Sequence, residues 1–240
     1  MSNQEGHNFK VYVGRAIDEP ELCEKYITGH RKVLTDYGIA NITSNNNDWM
    51  HNQGVYVVFM ENEKGKMVGG IRVQKANSDY ALPVETAIGK IDPKIYKIVD
   101  KYREDGICEL SALWNSKEVA GLGLSLLLVR AGISITNQIN CKMMIGIRAE
   151  YTNELFRRVG FVVDESLGDN GKFIYPNENY IAKVVGILNA QDLYSADQVD
   201  RKSILGLREV PEQTRVEIGN NGVQIQAEYL LYLKQNKMHV

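Results

Sequence analysis

The hydrophobic positions of the chain follow two different periods, which divide it into predicted strands and helices. Runs of alternating or β-branched apolar residues predict strands, and they cover 9–17, 54–60, 67–73, 108–114, 141–148, 161–164, 172–175 and 180–188. Apolar residues three and four positions apart predict helices, and they cover 18–37, 93–102, 124–135 and 151–159. The polar segment 39–54 is predicted as a loop or short helix. This order of elements predicts an α/β domain with a mixed sheet.

The pattern changes after Asn189, where the remaining residues predict one helix and a hairpin, over 195–207, 214–218 and 223–233. We therefore divide the chain into a domain over 1–188 and a C-terminal extension over 189–240 that packs on it. The pattern leaves open whether the extension adds strands to the sheet or forms a surface for a partner.

Composition and charge are those of an ordinary globular protein. Hydrophobic residues make up 44% of the chain and charged residues 24%, with a formal net charge of -2 and a pI near 6.1. Such a chain lacks the basic footprint that a nucleic acid partner needs. No stretch is long enough to span a membrane, and the polar N-terminus lacks the apolar core of a signal peptide. We therefore expect a cytoplasmic protein.

The cysteines and histidines predict no metal site. Cys23, Cys108 and Cys141 are scattered and form no CxxC motif, which favours reduced thiols in the core. The histidines show no metal-ligand spacing either; they are His7, His30, His51 and His239.

The most informative stretch runs from Cys108 to Ile135, where a strand, a turn with Gly121-Leu-Gly123 and an apolar helix follow one another. A helix that starts after such a turn leaves backbone N–H groups unpaired at its positive end, which is a site for an anion and most often for phosphate. No Lys-Ser/Thr follows the glycines, so the turn is not a P-loop, and the missing third glycine disfavours a dinucleotide-binding turn. A purely structural turn is the alternative.

With a second motif, the stretch resembles the GNAT superfamily of acyl-CoA-dependent N-acyltransferases. Gly121 and Gly123 match the glycines of the family signature, whereas Glu118 stands where the family has Gln or Arg. The run Leu155-Phe-Arg-Arg-Val-Gly-Phe161 is similar to the later family helix that ends in Gly-Phe. The resemblance covers roughly 9–188 and implies a mixed, mostly antiparallel sheet flanked by helices.

The resemblance also implies a cofactor site. The fourth and fifth strands would separate, with acetyl-CoA or another acyl-CoA in the gap. Backbone amides of the glycine turn would hold the pyrophosphate, and the end of the strand would pair with the pantetheine, with an amide near Leu113 as oxyanion hole. The implied residues are Leu113, Trp114, Asn115, Val119, Ala120, Gly121, Leu122, Gly123 and Leu124.

Glu109 is the predicted general base, because it lies on the central strand in an apolar run and family members often have a catalytic glutamate there. Burial would raise the pKa of its carboxyl group. The alternatives are that Glu109 faces solvent or that it binds the substrate ammonium group.

The sequence has no tyrosine at the position where family members often have the general acid. Phe156 occupies the position at which family members often have a tyrosine that protonates the leaving thiolate. Water or one of three other tyrosines would replace it, namely Tyr151, Tyr175 or Tyr180. The departure also favours a non-catalytic CoA-binding module as an alternative function.

The chain also has a narrower resemblance to the GNAT-related acyl-homoserine-lactone synthases and long-chain N-acyl amino acid synthases. It rests on Leu82-Pro-Val-Glu85, Cys108-Glu-Leu-Ser-Ala112 and Phe173-Ile-Tyr-Pro176, with Ala112 in place of the family arginine. It implies a long acyl donor and a substrate-binding role for Glu85, for which a loop carboxylate is the alternative. Arg157 and Arg158 either reach cofactor phosphates or complement a helix dipole.

The predicted function is transfer of an acyl group, in the first instance acetyl, from acyl-CoA to a primary amine by direct attack. A long-chain synthase and a non-catalytic regulatory module are the alternatives. The predicted partners are a small-molecule amine, a second copy of the chain in a homodimer and, for the long-chain synthase, an acyl carrier protein.

Overall fold

One 10-stranded mixed sheet runs through the computed structural model, which describes residues 7–39 and 47–233. Every strand predicted from the alternating pattern is confirmed, with ends shifted by a few residues. In chain order the strands are β1 (His7–Arg15), β2 (Val55–Asn62), β3 (Met67–Lys75), β4 (Ile107–Asn115), β5 (Met143–Ala149), β6 (Val162–Val163), β7 (Lys172–Ile174), β8 (Ile181–Ile187), β9 (Glu212–Ile218) and β10 (Gln224–Leu230).

Six α-helices lie in the described part of the chain, and five of them were predicted. They are α1 (Pro20–Asp36), α2 (Pro83–Ile88), α3 (Lys94–Arg103), α4 (Leu124–Ser134), α5 (Asn153–Arg158) and α6 (Gln198–Glu209). The unpredicted helix is α2, whose six residues are too few for a helical period to show. Of the segment predicted as a loop or short helix, Asp48–His51 forms a one-turn helix, and 40–46 lie outside the described residues.

The sheet order is β6-β8-β5-β4-β3-β2-β1-β10-β9, with β7 also paired to β8. Neighbouring strands are antiparallel except for β4 with β5 and β1 with β10. The sheet is therefore mixed and mostly antiparallel, as the resemblance implies.

Helices cover both faces of the sheet, and β4 contributes to the core on each side. Leu110 packs in the apolar cluster that contains Leu127 and Leu128 of α4. Trp114, farther along the same strand, packs in the cluster that contains Tyr26 of α1. The cysteines are free and buried, which confirms the prediction of reduced core thiols.

The extension joins the sheet. Its strand β10 pairs in parallel with β1, so that Phe9 lies opposite Ala227, and β9 forms the outer edge. A buried ionic cluster joins the extension to α4. Arg130 of α4 contacts Asp200 of α6 at 2.5 Å and Glu217 of β9 at 3.1 Å. The sequence left open whether the extension adds strands to the sheet or forms a surface for a partner, and the structure shows that it adds strands.

Candidate active site

The strands β4 and β5 separate in the middle of the sheet. They pair only at Ile107, Cys108 and Glu109 of β4, and beyond that point β4 pairs with β3 and β5 with β8. A cavity of about 210 Å³, here named the gap cavity, lies between the diverging strands, and its lining includes Glu109, Leu113, Arg148, Tyr151, Phe156 and Tyr180. The separated strands that the resemblance implies are therefore present.

A bulge in β4 accompanies the separation. Ser111 pairs with Arg72 of β3, but Trp114 pairs with Gly70, so β4 has one extra residue between these two pairs. Ala112 takes a positive φ of 51° there, and the Tyr26 hydroxyl donates to its carbonyl oxygen at 2.5 Å. Because a bulge bends a strand and redirects its backbone groups, the bond from Tyr26 fixes how the end of β4 faces the gap.

Glu109 is fully buried and lines the gap cavity. Its Oε2 accepts a hydrogen bond from the Val84 amide at 2.7 Å, whereas Oε1 has no hydrogen-bond partner. Burial raises the pKa of the carboxyl group to about 8, against the opposing effects of the Val84 amide and Arg72. The alternative that Glu109 faces solvent is therefore wrong, and one oxygen remains available for an amine.

Glu85 is buried close to Glu109 but does not line the gap cavity. Its Oε2 accepts a hydrogen bond from the Leu82 amide at 2.7 Å, which caps the N-terminus of α2. The Glu85 charge also contributes to the raised pKa of Glu109. This geometry supports a structural role for Glu85 rather than the predicted contact with substrate.

Three buried basic residues near the gap were not predicted. Arg72 of β3 is buried and stacks over the Trp49 ring at 5.0 Å. His30 and Arg148 line the gap cavity, and among the described residues one nitrogen of His30 and two nitrogens of Arg148 have no hydrogen-bond partner. Burial, with Arg72 and Arg31 adding to it, lowers the pKa of His30 to about 4, so its imidazole is neutral at pH 7. In the sequence, these residues could have been recognised only as basic residues within apolar runs, as Arg148 is within Met143–Ala149.

The glycine turn borders a second cavity, here named the turn cavity. Gly121 and Gly123 have φ values of 83° and 86°, which favour glycine, and α4 begins at Leu124 directly after them. The cavity has a volume of about 320 Å³, and its lining includes Asn115, Val119, Ala120, Gly121, Gly123, Leu124, Arg158 and Asn220. The start of an 11-residue helix thus faces an open site, as an anion cradle requires.

The remaining predicted cofactor residues lie around these two cavities. Leu113 lines the gap cavity. The Trp114 side chain points to α1 on the other face, so only its backbone remains as a candidate contact. The Leu122 carbonyl accepts a hydrogen bond from the Asn220 amide at 3.1 Å, which brings the extension against the glycine turn.

Three charged residues that the sequence singled out near the turn form ion pairs. Glu118, which replaces the family Gln or Arg, forms an ion pair with Lys66 at 2.5 Å and does not line the turn cavity. Arg158 lines that cavity and contacts Asp200 at 3.0 Å, whereas Arg157 is paired with Glu154 and Asp197. The structure therefore separates the two arginines that the sequence treated alike.

Phe156 and the three candidate tyrosines all line the gap cavity. The Tyr180 hydroxyl donates to the Tyr37 carbonyl at 3.0 Å, and Tyr151 is 77% exposed. Burial of part of the Tyr151 ring raises the pKa of its phenol, which keeps that group protonated.

No group of three His, Cys, Asp or Glu residues that could hold a metal ion occurs within 7–39 and 47–233. None of the helices in these ranges is long and apolar enough to cross a membrane.

No family model matches the sequence, and no curated protein matches it. Solved structures do match the fold. FeeM, an N-acyl amino acid synthase from uncultured soil microbes, aligns with a TM-score of 0.58 and 12% identity over 74% of this chain and 97% of its own. The AHL synthase LasI aligns with a TM-score of 0.58 and 15% identity over 84% of this chain and 96% of its own. BjaI is a CoA-dependent acyl-homoserine lactone synthase, whose structure contains SAM and isopentyl-CoA. It aligns with a TM-score of 0.53 and 11% identity over 91% of this chain and 93% of its own.

These likenesses establish the fold, and they fall on the families that the motifs predicted. The chain has the fold of FeeM, LasI and BjaI, with its two parallel central strands separated over a cavity and a glycine turn beside it.

Proposed function

We propose that the protein is an N-acyltransferase that moves an acyl group from acyl-CoA to a primary amine by direct attack in a ternary complex. One observation carries the proposal: the open gap between β4 and β5 contains a buried carboxylate oxygen without a partner, Glu109 Oε1. Farther along the same strand lies the turn cavity, lined by Asn115 and the glycine turn. A donor with phosphates at one end and a thioester at the other would lie along β4.

The donor phosphates would bind to the backbone amides of Gly121, Gly123 and Leu124, because the other three amides of 119–124 donate to carbonyl groups of 116–119. These amides lie at the positive end of α4, where an anion is stabilised by N–H groups and by the helix dipole together. Glu118 does not oppose this, because its charge is neutralised by Lys66 outside the turn cavity. The pantetheine would follow the end of β4 towards Leu113, which lines the gap cavity.

The reaction would proceed without a covalent enzyme intermediate. Glu109 would take a proton from the substrate ammonium group, and the free amine would attack the thioester carbonyl carbon. The carbonyl oxygen would gain charge, which the Leu113 amide would stabilise, and collapse would form the amide bond and break the carbon–sulfur bond. The attacking nitrogen would lose its second proton as the amide forms, and that proton would pass to the leaving thiolate through water or through Tyr151, which is the most exposed of the three tyrosines of the gap cavity.

A long-chain donor, on CoA or on an acyl carrier protein, is the second candidate. The observation that favours it is the apolar wall of the gap cavity, to which Leu34, Ile39, Ile71, Ile147 and Phe156 contribute. Such side chains contact alkyl groups without leaving a polar atom unpaired. The likeness to FeeM, an N-acyl amino acid synthase, supports the same candidate.

The experiment combines binding and turnover. Thermal shift with CoA and acyl-CoAs of increasing chain length should show stabilisation, about 2.7 kcal/mol for a ligand at 100 times its Kd. Thiol release should then be measured with each donor across a panel of amines. Absence of stabilisation by any donor would refute the donor site. Binding without thiol release would favour a non-catalytic module, and a preference for long chains would favour the second candidate.

A Glu109→Gln variant tests the proposed base. Its kcat at neutral pH should fall by roughly 10²–10⁴-fold, as expected for loss of a general base, while acyl-CoA affinity stays unchanged. Glu165→Gln, the same substitution at an exposed position, serves as the matched control. An unchanged rate in Glu109→Gln would remove Glu109 from the mechanism.

A further inference from the structure

Arg148 is a buried cation in the wall of the gap cavity. Only 5% of the residue is exposed, and it lies on β5, beyond the point at which β5 leaves β4. One guanidinium nitrogen, Nη2, donates to Asn153 Oδ1 of α5. The other two nitrogens, Nε and Nη1, are buried and have no hydrogen-bond partner in the part of the chain that the structure describes.

Within residues 7–39 and 47–233, no carboxylate forms an ion pair with Arg148. Glu150 is the carboxylate whose field acts on Arg148, but its Oε1 is bound to Lys183 at 2.9 Å. Lys183, the cross-strand neighbour of Arg148 on β8, adds a second cation. A buried guanidinium with unpaired N–H groups is costly to a protein, and such a group persists where a ligand completes it.

The donor set indicates what the ligand is. Nε carries one hydrogen and Nη1 carries two, and all of them donate. A carbonyl oxygen would satisfy part of this set but would leave the charge unpaired. A carboxylate offers two oxygens with about four lone-pair positions, and its negative charge also pairs with the guanidinium.

We propose that Arg148 binds a carboxylate group of a substrate inside the gap cavity. The inference rests on the proposed function, because the ligand is one of the two substrates of that reaction. The carboxylate has two sources of the same chemistry: the acceptor, which would then be an amino acid, or the far end of the acyl group, which would then derive from a dicarboxylic acid. Arg148 would in either case select substrates rather than take part in proton transfer.

Binding of matched probes tests this and distinguishes the sources. The first pair is an N-acyl amino acid and its carboxamide, which represent the product with and without the acceptor carboxylate. The second pair is succinyl-CoA and butyryl-CoA, whose acyl groups have equal length but differ in the terminal carboxylate. Isothermal titration should show that the wild type binds the carboxylate member of one pair roughly a hundredfold more tightly.

The variants are Arg148→Met, Arg148→Lys and the control Arg157→Met, an exposed arginine that itself lines neither cavity and is paired with Glu154 and Asp197. Arg148→Met should bring the affinity ratio of that pair close to one, Arg148→Lys should retain part of it, and Arg157→Met should leave it unchanged. The methionine side chain keeps the apolar stem, and circular dichroism checks that each variant is folded.

Two results would overturn the proposal: a ratio near one for both pairs in the wild type, or a ratio that survives in Arg148→Met. Thiol release measured in parallel separates this question from the proposed function. Transfer without a carboxylate preference refutes the role of Arg148 alone. A carboxylate preference without transfer to any amine supports Arg148 and refutes the acyltransferase.

Discussion

The raised pKa of Glu109 makes the stability of the protein depend on pH in a way that one substitution removes. Burial shifts this pKa from an ordinary value of 4.5 to about 8, so between these values the folded protein holds a proton that the unfolded chain has released. Stability attributable to Glu109 is therefore greatest at low pH and is lost as the pH rises towards 8. The slope is about 1.36 kcal/mol per pH unit for one proton.

Glu109→Gln keeps the size of the side chain and its acceptor for the Val84 amide but cannot ionise. From pH 5.5 to pH 7.5 the wild type should lose about 2.7 kcal/mol of unfolding free energy relative to this variant, which is two pH units at the slope for one proton. The difference should stop growing above pH 8, where the folded carboxyl group is itself ionised.

Urea denaturation of both proteins at half-unit steps of pH measures this difference, with Glu165→Gln as a control that should follow the wild type at every pH. A difference between wild type and Glu109→Gln that stays constant from pH 5.5 to 8 would refute the reasoning, since the Glu109 pKa would then be the same in both states. In the acyl-transfer assay, kcat/KM of the free enzyme should rise with pH, reach half of its limit near pH 8 and level off above that pH.

Three further substitutions test parts of the structure that hold the site in place. Asp200→Asn removes a charge from the buried cluster of the extension and should lower the unfolding free energy by about 3–5 kcal/mol, whereas the exposed Asp197→Asn should change it little; equal effects would show that the buried cluster does not stabilise the extension. Gly123→Ala should weaken CoA binding more than Gly121→Ala in a titration. The added Cβ at Gly123 would lie 3.0 Å from the Asn220 backbone nitrogen, whereas at Gly121 it would meet nothing within 4 Å. Equal losses of affinity would show that only the backbone strain common to both positions acts. Tyr26→Phe removes the bond to the β4 bulge and should cost about 1–3 kcal/mol in urea unfolding and also slow acyl transfer; an unchanged rate would separate the bulge from the reaction.

Local patterns in the sequence were sufficient to predict every strand and every α-helix except α2, and they predicted part of the site. Strand and helix periods are properties of neighbouring residues, so β4, the glycine turn and α4 were predicted without knowledge of the fold. The left-handed backbone at Gly121 and Gly123 also follows from residue type. Glu109 stood out because a carboxylate in an apolar strand is unusual, and the structure places it in the gap.

Only the tertiary structure decided which side chains meet there. Glu85 and Glu109 look alike in the sequence, but Glu85 caps the start of α2, whereas Glu109 lines the gap cavity and keeps one oxygen without a partner among the described residues. His30, Arg72 and Arg148 come from three elements, and no spacing along the chain relates them. Their roles depend on long-range packing, because an isolated arginine in a strand is equally compatible with a surface position.

The extension illustrates the same limit. Its hairpin was predicted from local turn chemistry, but the pattern could not indicate that β10 would lie beside β1, the first strand of the chain. The pairing of strands so distant in sequence is selected by the apolar faces that they bury together and by the cluster around Arg130. The sequence by itself therefore determined most of the elements and the glycine turn, and the tertiary structure determined the gap and the groups inside it, because burial and charge pairing arise only when distant segments pack.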